Sequence, residues 1–310
     1  MEKWQLRQMQ SLPLSAKIEK TKLRIKEWYE HWDGQVCVSF SGGKDSTVLL
    51  HIAREVYPDI RAVFSDTGLE YPEIKEFVKT ICDVEWVRPK KTFLQVIEEC
   101  GYPVVSKKVA RFIKDLQNPT DKNITSRNLY LTGYSGKGEY QPTMKLSQKW
   151  YKLIDAPFKV SDRCCHIIKK QPLESFTKTT GLKPIIGSMA DEGSSREMQY
   201  MRHGCNIYDS KKPIAQPMGF WAEQDVLAYL LNYNVPYCSV YGDIVKNEDG
   251  SLVTTGETRT GCVFCMFGIN LEKTPNRFQR MKDSHPKLYE YCINKLELGK
   301  VLDYIDVKYD

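Results

Sequence analysis

From Leu14 to Trp32 the apolar side chains Leu14, Ile18, Ile25, Trp28, Tyr29 and Trp32 recur at helical spacing with Lys and Glu between them, predicting an amphipathic helix that Asp33-Gly34 closes. The rhythm then changes. Val36 to Phe40 is a short β-branched run, two glycines follow at 42 and 43, and Thr47 to Val56 returns to helical spacing. Strand, tight loop and helix open a βαβ unit. Ile60 to Ser65 reads as a second strand, Pro72 to Thr80 as a helix, Val84 to Val87 as a third strand and Lys183 to Ser188 as another. Strands alternating with helices imply a parallel sheet.

Between Asn118 and Gln148 the periodicity lapses into Gly, Asn, Thr and Ser, too long for an ordinary connection, which predicts a mobile lid or a substrate-recognition insertion. Ala222 to Asn232 is helical. Ile244-Val245 and Leu252-Val253 flank Asn247-Glu-Asp-Gly250, a hairpin signal, and helical patterns recur from Asn276 to Tyr304. The expected organisation is an N-terminal helical extension (1–33), a nucleotide-binding domain (34–235) and a C-terminal subdomain (236–310). No internal repeat or heptad is evident.

Composition narrows the class. With 310 residues, 41% hydrophobic and 27% charged, the chain can bury a full core. No signal-peptide core and no apolar run of membrane-spanning length occur, so a cytoplasmic location is expected. Disulfides are rare there, and the ten cysteines call for burial or ligation instead. The net charge of +6, with clusters at Lys107-Lys108, Arg111 and Lys114, at Lys169-Lys170 and at Lys211-Lys212, suits polyanionic partners, although each cluster also reads as a solvated helix face.

The loop Ser41-Gly-Gly-Lys-Asp-Ser46 carries the most chemistry. Glycines after a strand let backbone approach a ligand closely, so the N–H groups of Gly42, Gly43 and Lys44 are expected to converge on an anion at a helix start. Ser41 and Ser46 add hydroxyls, Lys44 adds a charge, and Asp45 falls to Mg²⁺ or to bracing the loop. The spacing departs from the Walker pattern. A plain Gly-Gly turn is the alternative. The segment Phe40-Ser-Gly-Gly-Lys-Asp-Ser46 resembles the signature of the PP-loop ATP pyrophosphatases, which split ATP between the α and β phosphates, and Ser39 just before it is expected in the same nucleotide site. Asp66, in Val63-Phe64-Ser65-Asp66-Thr67-Gly68, closes the second strand as in that superfamily, where the strand end faces adenosine; a turn residue beside Gly68 is its other reading.

Four cysteines stand apart from the rest. Cys164-Cys165 and Cys262-x-x-Cys265 suffice for a 4Fe-4S cluster or a tetrahedral zinc, while buried thiols without metal remain open. Together with Asp162-Arg-Cys-Cys-His-Ile-Ile-Lys-Lys-Gln-Pro-Leu173, this pairing resembles the iron-sulfur branch of the phosphoadenosine phosphosulfate reductase family within the PP-loop superfamily. The resemblance covers about Val36 to Gly268. By it Lys169, Gly187 and Arg196 join the nucleotide site, with Arg196 a phosphate or sulfate contact. Trp221 falls on a packing helix.

The resemblance implies an adenine nucleotide alpha hydrolase-like, Rossmann-type fold: a doubly wound parallel α/β sheet with an N-terminal helix and a small C-terminal subdomain. It implies ATP, Mg²⁺ and a 4Fe-4S cluster, with Lys44, Asp45 and Ser46 catalytic. Departures matter. Met189 and Gly193 stand where sulfonucleotide reductases carry arginine and serine, and the tail lacks their Glu-Cys-Gly-Leu-His segment. The intact loop favours ATP cleavage in sulfur transfer, with a nucleic acid or a sulfur-donor protein as candidate partner. Reduction of an adenylyl sulfate, and nucleotide or nucleic-acid binding without catalysis, are the alternatives.

Overall fold

The computed structural model describes residues 1–310. In chain order the elements are α1 (Lys3–Gln10), α2 (Leu14–His31), β1 (Val36–Ser39), α3 (Lys44–Val56), β2 (Arg61–Ser65), α4 (Pro72–Thr80), β3 (Val84–Val87), α5 (Phe93–Cys100), β4 (Val104–Val105), α6 (Lys107–Gln117) and α7 (Ile124–Thr132). There follow α8 (Gln171–Thr180), β5 (Lys183–Ile186), α9 (Ser194–His203), β6 (Asn206–Ile207), β7 (Ile214–Ala215), α10 (Glu223–Asn232), β8 (Ile244–Lys246), β9 (Leu252–Thr254), β10 (Met266–Phe267), α11 (Arg277–Ser284), α12 (Pro286–Glu290) and α13 (Leu298–Tyr304). They fall into two compact units, one of residues 1–89 and 171–263, the other of 90–170 and 264–310.

The first unit is a mixed α/β fold around a six-stranded sheet of order β3-β2-β1-β5-β7-β6. All neighbours run parallel except β6 and β7. Both faces of the sheet are covered. Cys37 and Val63 point one way, against Phe176 of α8 and Leu182, while Val36, Val38, Ala62 and Phe64 point the other way and are equally buried. Strands buried on two sides read as continuous apolar runs, which is how β1 and β2 looked in sequence. From β1 the chain builds β2 and β3 to one side, then returns to lay β5 on the other. That reversal makes the carboxyl end of β1 a topological switch point. Lys17 of α2, buried, donates to Asp225 of α10 at 2.6 Å and fastens the N-terminal helix to this unit. The β8–β9 hairpin forms as expected, in register Ile244 with Thr254.

The second unit is mostly helical, with one parallel pair joining β4 to β10. Residues 118–148, expected as a mobile lid or a substrate-recognition insertion, contain α7. Tyr130 of α7 stacks on Phe112 of α6 at 3.8 Å, and the Leu146 N–H donates to the Tyr130 carbonyl. The helix escaped detection because its apolar residues, Ile124, Leu129, Tyr130 and Leu131, are interrupted by Thr, Ser and Asn that favour other conformations locally. No helix anywhere is long and apolar enough to cross a membrane.

Candidate nucleotide loop and thiol site

The loop after β1 lies at the switch point. Phe40, buried, anchors it by donating its N–H to the Val63 carbonyl at 2.9 Å, and Ser39 just before it ends β1, half-buried. Gly42 has φ +71°, and a Cβ there would sit 2.8 Å from Ile74 and 2.9 Å from Val78 of α4. Packing alone therefore demands this glycine. At Gly43 a Cβ would meet three hydroxyl oxygens instead, those of Ser41, Tyr241 and Thr260, at 3.2 to 3.4 Å. Gly187, just after β5, lies so close to Asp45 and Ser46 that a Cβ would stand 3.2 Å from the Asp45 carbonyl.

Of the three amides expected to converge on an anion, those of Gly43 and Lys44 donate instead to hydroxyls of the protein. The Ser41 N–H donates to Ser46 Oγ at 3.1 Å, the Gly43 N–H to Ser41 Oγ at 3.3 Å and the Lys44 N–H to the Tyr241 hydroxyl at 3.2 Å. Each partner is a neutral hydroxyl, and a charged phosphate oxygen forms hydrogen bonds about twice as strong. Ser46 Oγ also donates to the Gly43 carbonyl, tying the helix start to the turn. Lys44 is buried, and its ammonium donates to Glu223 Oε1 at 2.5 Å and to the Thr258 carbonyl at 2.6 Å. The Glu223 side chain is 44% exposed, so it can swing toward water.

Asp45 occupies the first turn of α3. Burial raises its pKa, Lys44 opposes the rise and Glu223 adds to it. Its Oδ1 is buried with no hydrogen-bond partner. An orphaned carboxylate oxygen beside a helix start suits a hard cation such as Mg²⁺. Asp66, at the end of β2, contrasts with it. Burial would raise its pKa, but Lys75 at 2.6 Å and Arg88 at 3.0 Å outweigh that and hold it below the usual carboxylate range. Arg196, in the first turn of α9, pairs with Glu192; burial and the charge of Arg259 lower its pKa, and Asp45 acts on it in the opposite direction. Thus Lys44, Asp45, Ser46, Gly187 and Arg196 are gathered at one end of the sheet.

The partners Glu223, Tyr241, Thr258 and Thr260 were not anticipated. Thr258 and Thr260 lie in the polar run Glu257-Thr-Arg-Thr260 just ahead of Cys262, Glu223 and Tyr241 lie in no such run, and no local spacing links any of the four to position 44.

None of the ten cysteines is disulfide-bonded. Cys164, Cys165 and Cys265 belong to the second unit, and Cys262 belongs to the first. Cys165 begins a wide π-type turn (Cys165–Lys170) that also carries Lys169. A hydrogen bond from Cys164 lowers the Cys165 pKa; burial opposes it, and Lys107, Lys169 and Lys170 help bring it to about 6. Burial raises that of Cys265, whose charge and that of Cys165 act on each other. No three His, Cys, Asp or Glu side chains are arranged around one metal ion. The donor set nevertheless fits a thiolate-bound group in kind, since a cationic turn stabilises one thiolate beside two further thiols. By contrast Cys37 and Cys292 are buried and pushed up to about 12, as expected of small core residues.

A mainly parallel α/β sheet with a glycine-paired loop at its switch point defines the class. The chain belongs to the phosphoadenosine phosphosulfate reductase domain family, whose domain matches residues 35–106 and 107–266. Two uncharacterized Methanocaldococcus jannaschii proteins are 25% identical over 290 and 276 residues, 91% and 88% of this chain but 53% and 43% of theirs. The chain thus spans about half the length of these relatives. The adenosine 5'-phosphosulfate reductase of Bacillus cytotoxicus is 23% identical over 219 residues, 70% of this chain and 73% of the reductase. Among solved structures, phosphoadenylyl-sulfate reductase from Candida auris aligns with TM-score 0.41 and 12% identity over 81% of this chain and 98% of its own. The U34-tRNA thiolase NcsA from Methanococcus maripaludis, solved with its [4Fe-4S] cluster, gives 0.38 and 14% over 92% and 78%. Scores this low decide nothing about this chain's chemistry.

Proposed function

We propose that the chain binds ATP at Ser41–Ser46, breaks it between the α and β phosphates and uses the adenylate for sulfur transfer. The placement of Lys44 carries this reading: a buried ammonium at a helix start, at the sheet's switch point, next to a carboxylate oxygen that lacks a partner. An acceptor oxygen attacks the α-phosphorus, the bond from that phosphorus to the bridging oxygen breaks, and pyrophosphate leaves. Lys44 turns from Glu223 to the departing phosphates, and the N–H groups of Gly42, Gly43 and Lys44 hold them in line. Ser46 and Ser41 supply hydroxyls, and Gly187 leaves room for close approach. Arg196 takes a further anionic oxygen, Lys169 a second, and Asp66 lies at the adenosine end of β2. A hydrosulfide-level sulfur then attacks the activated carbon, and AMP departs with the former acceptor oxygen.

Mg²⁺ at Asp45 would offset charge on the phosphate oxygens. Cys164, Cys165, Cys262 and Cys265 would hold a 4Fe-4S cluster, which supplies iron coordination for sulfur; zinc is the other candidate for the same thiols. Reduction of an adenylyl sulfate is the second reading, favoured by membership of a reductase-named family and by the Bacillus relative. Pyrophosphate release from ATP, measured on the anaerobically prepared protein, should fall by roughly 10² to 10³ in Lys44→Ala. Release that persists in that variant contradicts the proposal, and sulfite from adenylyl sulfate with thioredoxin would establish the second reading instead.

A further inference from the structure

Charge is divided unevenly between the two units. Residues 1–89 and 171–263 hold 21 Lys and Arg against 25 Asp and Glu, a net −4, while 90–170 and 264–310 hold 24 against 14, a net +10. So the modest overall +6 conceals one strongly cationic unit.

Within that unit α6 is the clearest concentration. At 3.6 residues per turn Lys107, Lys108, Arg111 and Lys114 share one arc of the helix, and Ala110, Phe112, Ile113 and Leu116 are buried on the other. Ser106 fixes the helix start by accepting the Val109 N–H at 3.1 Å. Arg111 and Lys114 both reach Asp162, at 3.2 and 3.7 Å, which ties the stripe to the segment leading into Cys164-Cys165. Next to Asp162, Arg163 is exposed, as is Lys170 at the end of the π-type turn. Lys108 donates to the Thr143 carbonyl, placing the 140–145 segment at the helix start. That segment brings exposed Lys145 and exposed Tyr140, whose ring lies 5.1 Å from that of Tyr134, also exposed.

An ordinary solvated helix face balances its signs; here two carboxylates, Asp162 bridging Arg111 and Lys114 and Asp115 at 3.4 Å from Lys114, stand against the four cations of the stripe. From Lys107 to Lys114 the helix rises about 10 Å, room for two or three phosphates of one strand. Exposed tyrosines beside a cationic track suit bases that are not paired, since every base has a face to stack. We propose that the α6 stripe, with Arg163, Lys145 and the Tyr134–Tyr140 pair, is the docking surface for a nucleic acid that carries unpaired bases, and that it leads this acceptor to the vicinal cysteines. The acceptor role rests on the sulfur-transfer reading; the docking rests on charge and exposure alone.

The test is fluorescence anisotropy of the full chain with labelled bulk transfer RNA and with a 20-base-pair DNA duplex, from 50 to 200 mM salt. Transfer RNA should bind more tightly than the duplex and weaken steeply with salt. Lys108→Gln/Arg111→Gln/Lys114→Gln should weaken it at least about 10-fold and reduce the salt slope by about 2. Lys108→Gln/Arg163→Gln, which leaves both Asp162 pairs intact, should weaken it several-fold should the triple variant fold poorly. Lys211→Gln/Lys212→Gln, in the other unit, should change nothing. Absence of binding at 50 mM salt, tighter binding of the duplex, or an equal loss in the Lys211/Lys212 variant would overturn the proposal. The predicted binding pattern in a protein that releases no pyrophosphate would uphold the docking surface and reject the enzymatic reading.

Discussion

Asp45 and Asp66 are carboxylates of the same sheet's carboxyl end, one at the start of α3 and the other at the end of β2, yet the chain treats them in opposite ways. Asp66 is answered by Lys75 and Arg88 and keeps a depressed pKa despite burial. Asp45 has one buried oxygen without a partner, and desolvation together with the nearby Glu223 raises its pKa against the opposing charge of Lys44. The contrast is one of partners: Asp66 is answered by two cations of its own chain, and one oxygen of Asp45 is answered by nothing. Destabilised groups of this kind mark working sites.

Breaking the contrast at Asp45 should have the largest effect. Asp45→Asn should cut pyrophosphate release about 100-fold, yet raise the stability of the nucleotide-free protein by about 1 kcal/mol because a poorly solvated charge is removed. Release assays and denaturant melts report the two. Asp66→Asn should do the reverse to stability, lowering it by about 1 to 3 kcal/mol as Lys75 loses its ionic partner, which urea titration measures.

Acid titration sharpens the same comparison. A depressed carboxyl contributes stability above its unfolded value of about 4 and loses it as pH falls through the lower folded value. A raised one carries a penalty above its folded pKa that is relieved as pH falls toward about 4. Asp66→Asn should therefore flatten the loss of stability below about pH 4, and Asp45→Asn should abolish a small gain above it; melts across pH 3 to 7 distinguish them. The smallest effect concerns the thiols. In metal-free protein at pH 7, iodoacetamide should modify Cys165 before Cys37, whose thiols stand at about 6 and about 12. Mass mapping of early adducts tests the order.

Much of the first unit could be read from sequence because its signals are local. The strand and helix patterns around Gly42 and Gly43, and the polarity of Asp66 at a strand end, lie within a few residues of one another. The sequence did not reveal that Gly42 is required by the packing of Ile74 and Val78, nor that Lys44 is held by Glu223 and the Thr258 carbonyl, 179 and 214 positions away. Such contacts are made by folding, and no periodicity foreshadows them. Likewise the four cysteines were visible as a set, while their distribution between two compact units was not. The cations of α6 looked like any solvated face until their unit's surplus could be counted against its neighbour's.

Calorimetric titration of ATP with Mg²⁺ into the wild type and into Lys44→Ala is the most direct test of the nucleotide loop, since it needs neither acceptor nor sulfur donor. Saturable binding that weakens at least about 30-fold in the variant is the expected result, about 2 kcal/mol of charge-assisted contact. Equal affinity in the two proteins would place the nucleotide elsewhere and contradict the assignment of Ser41–Ser46.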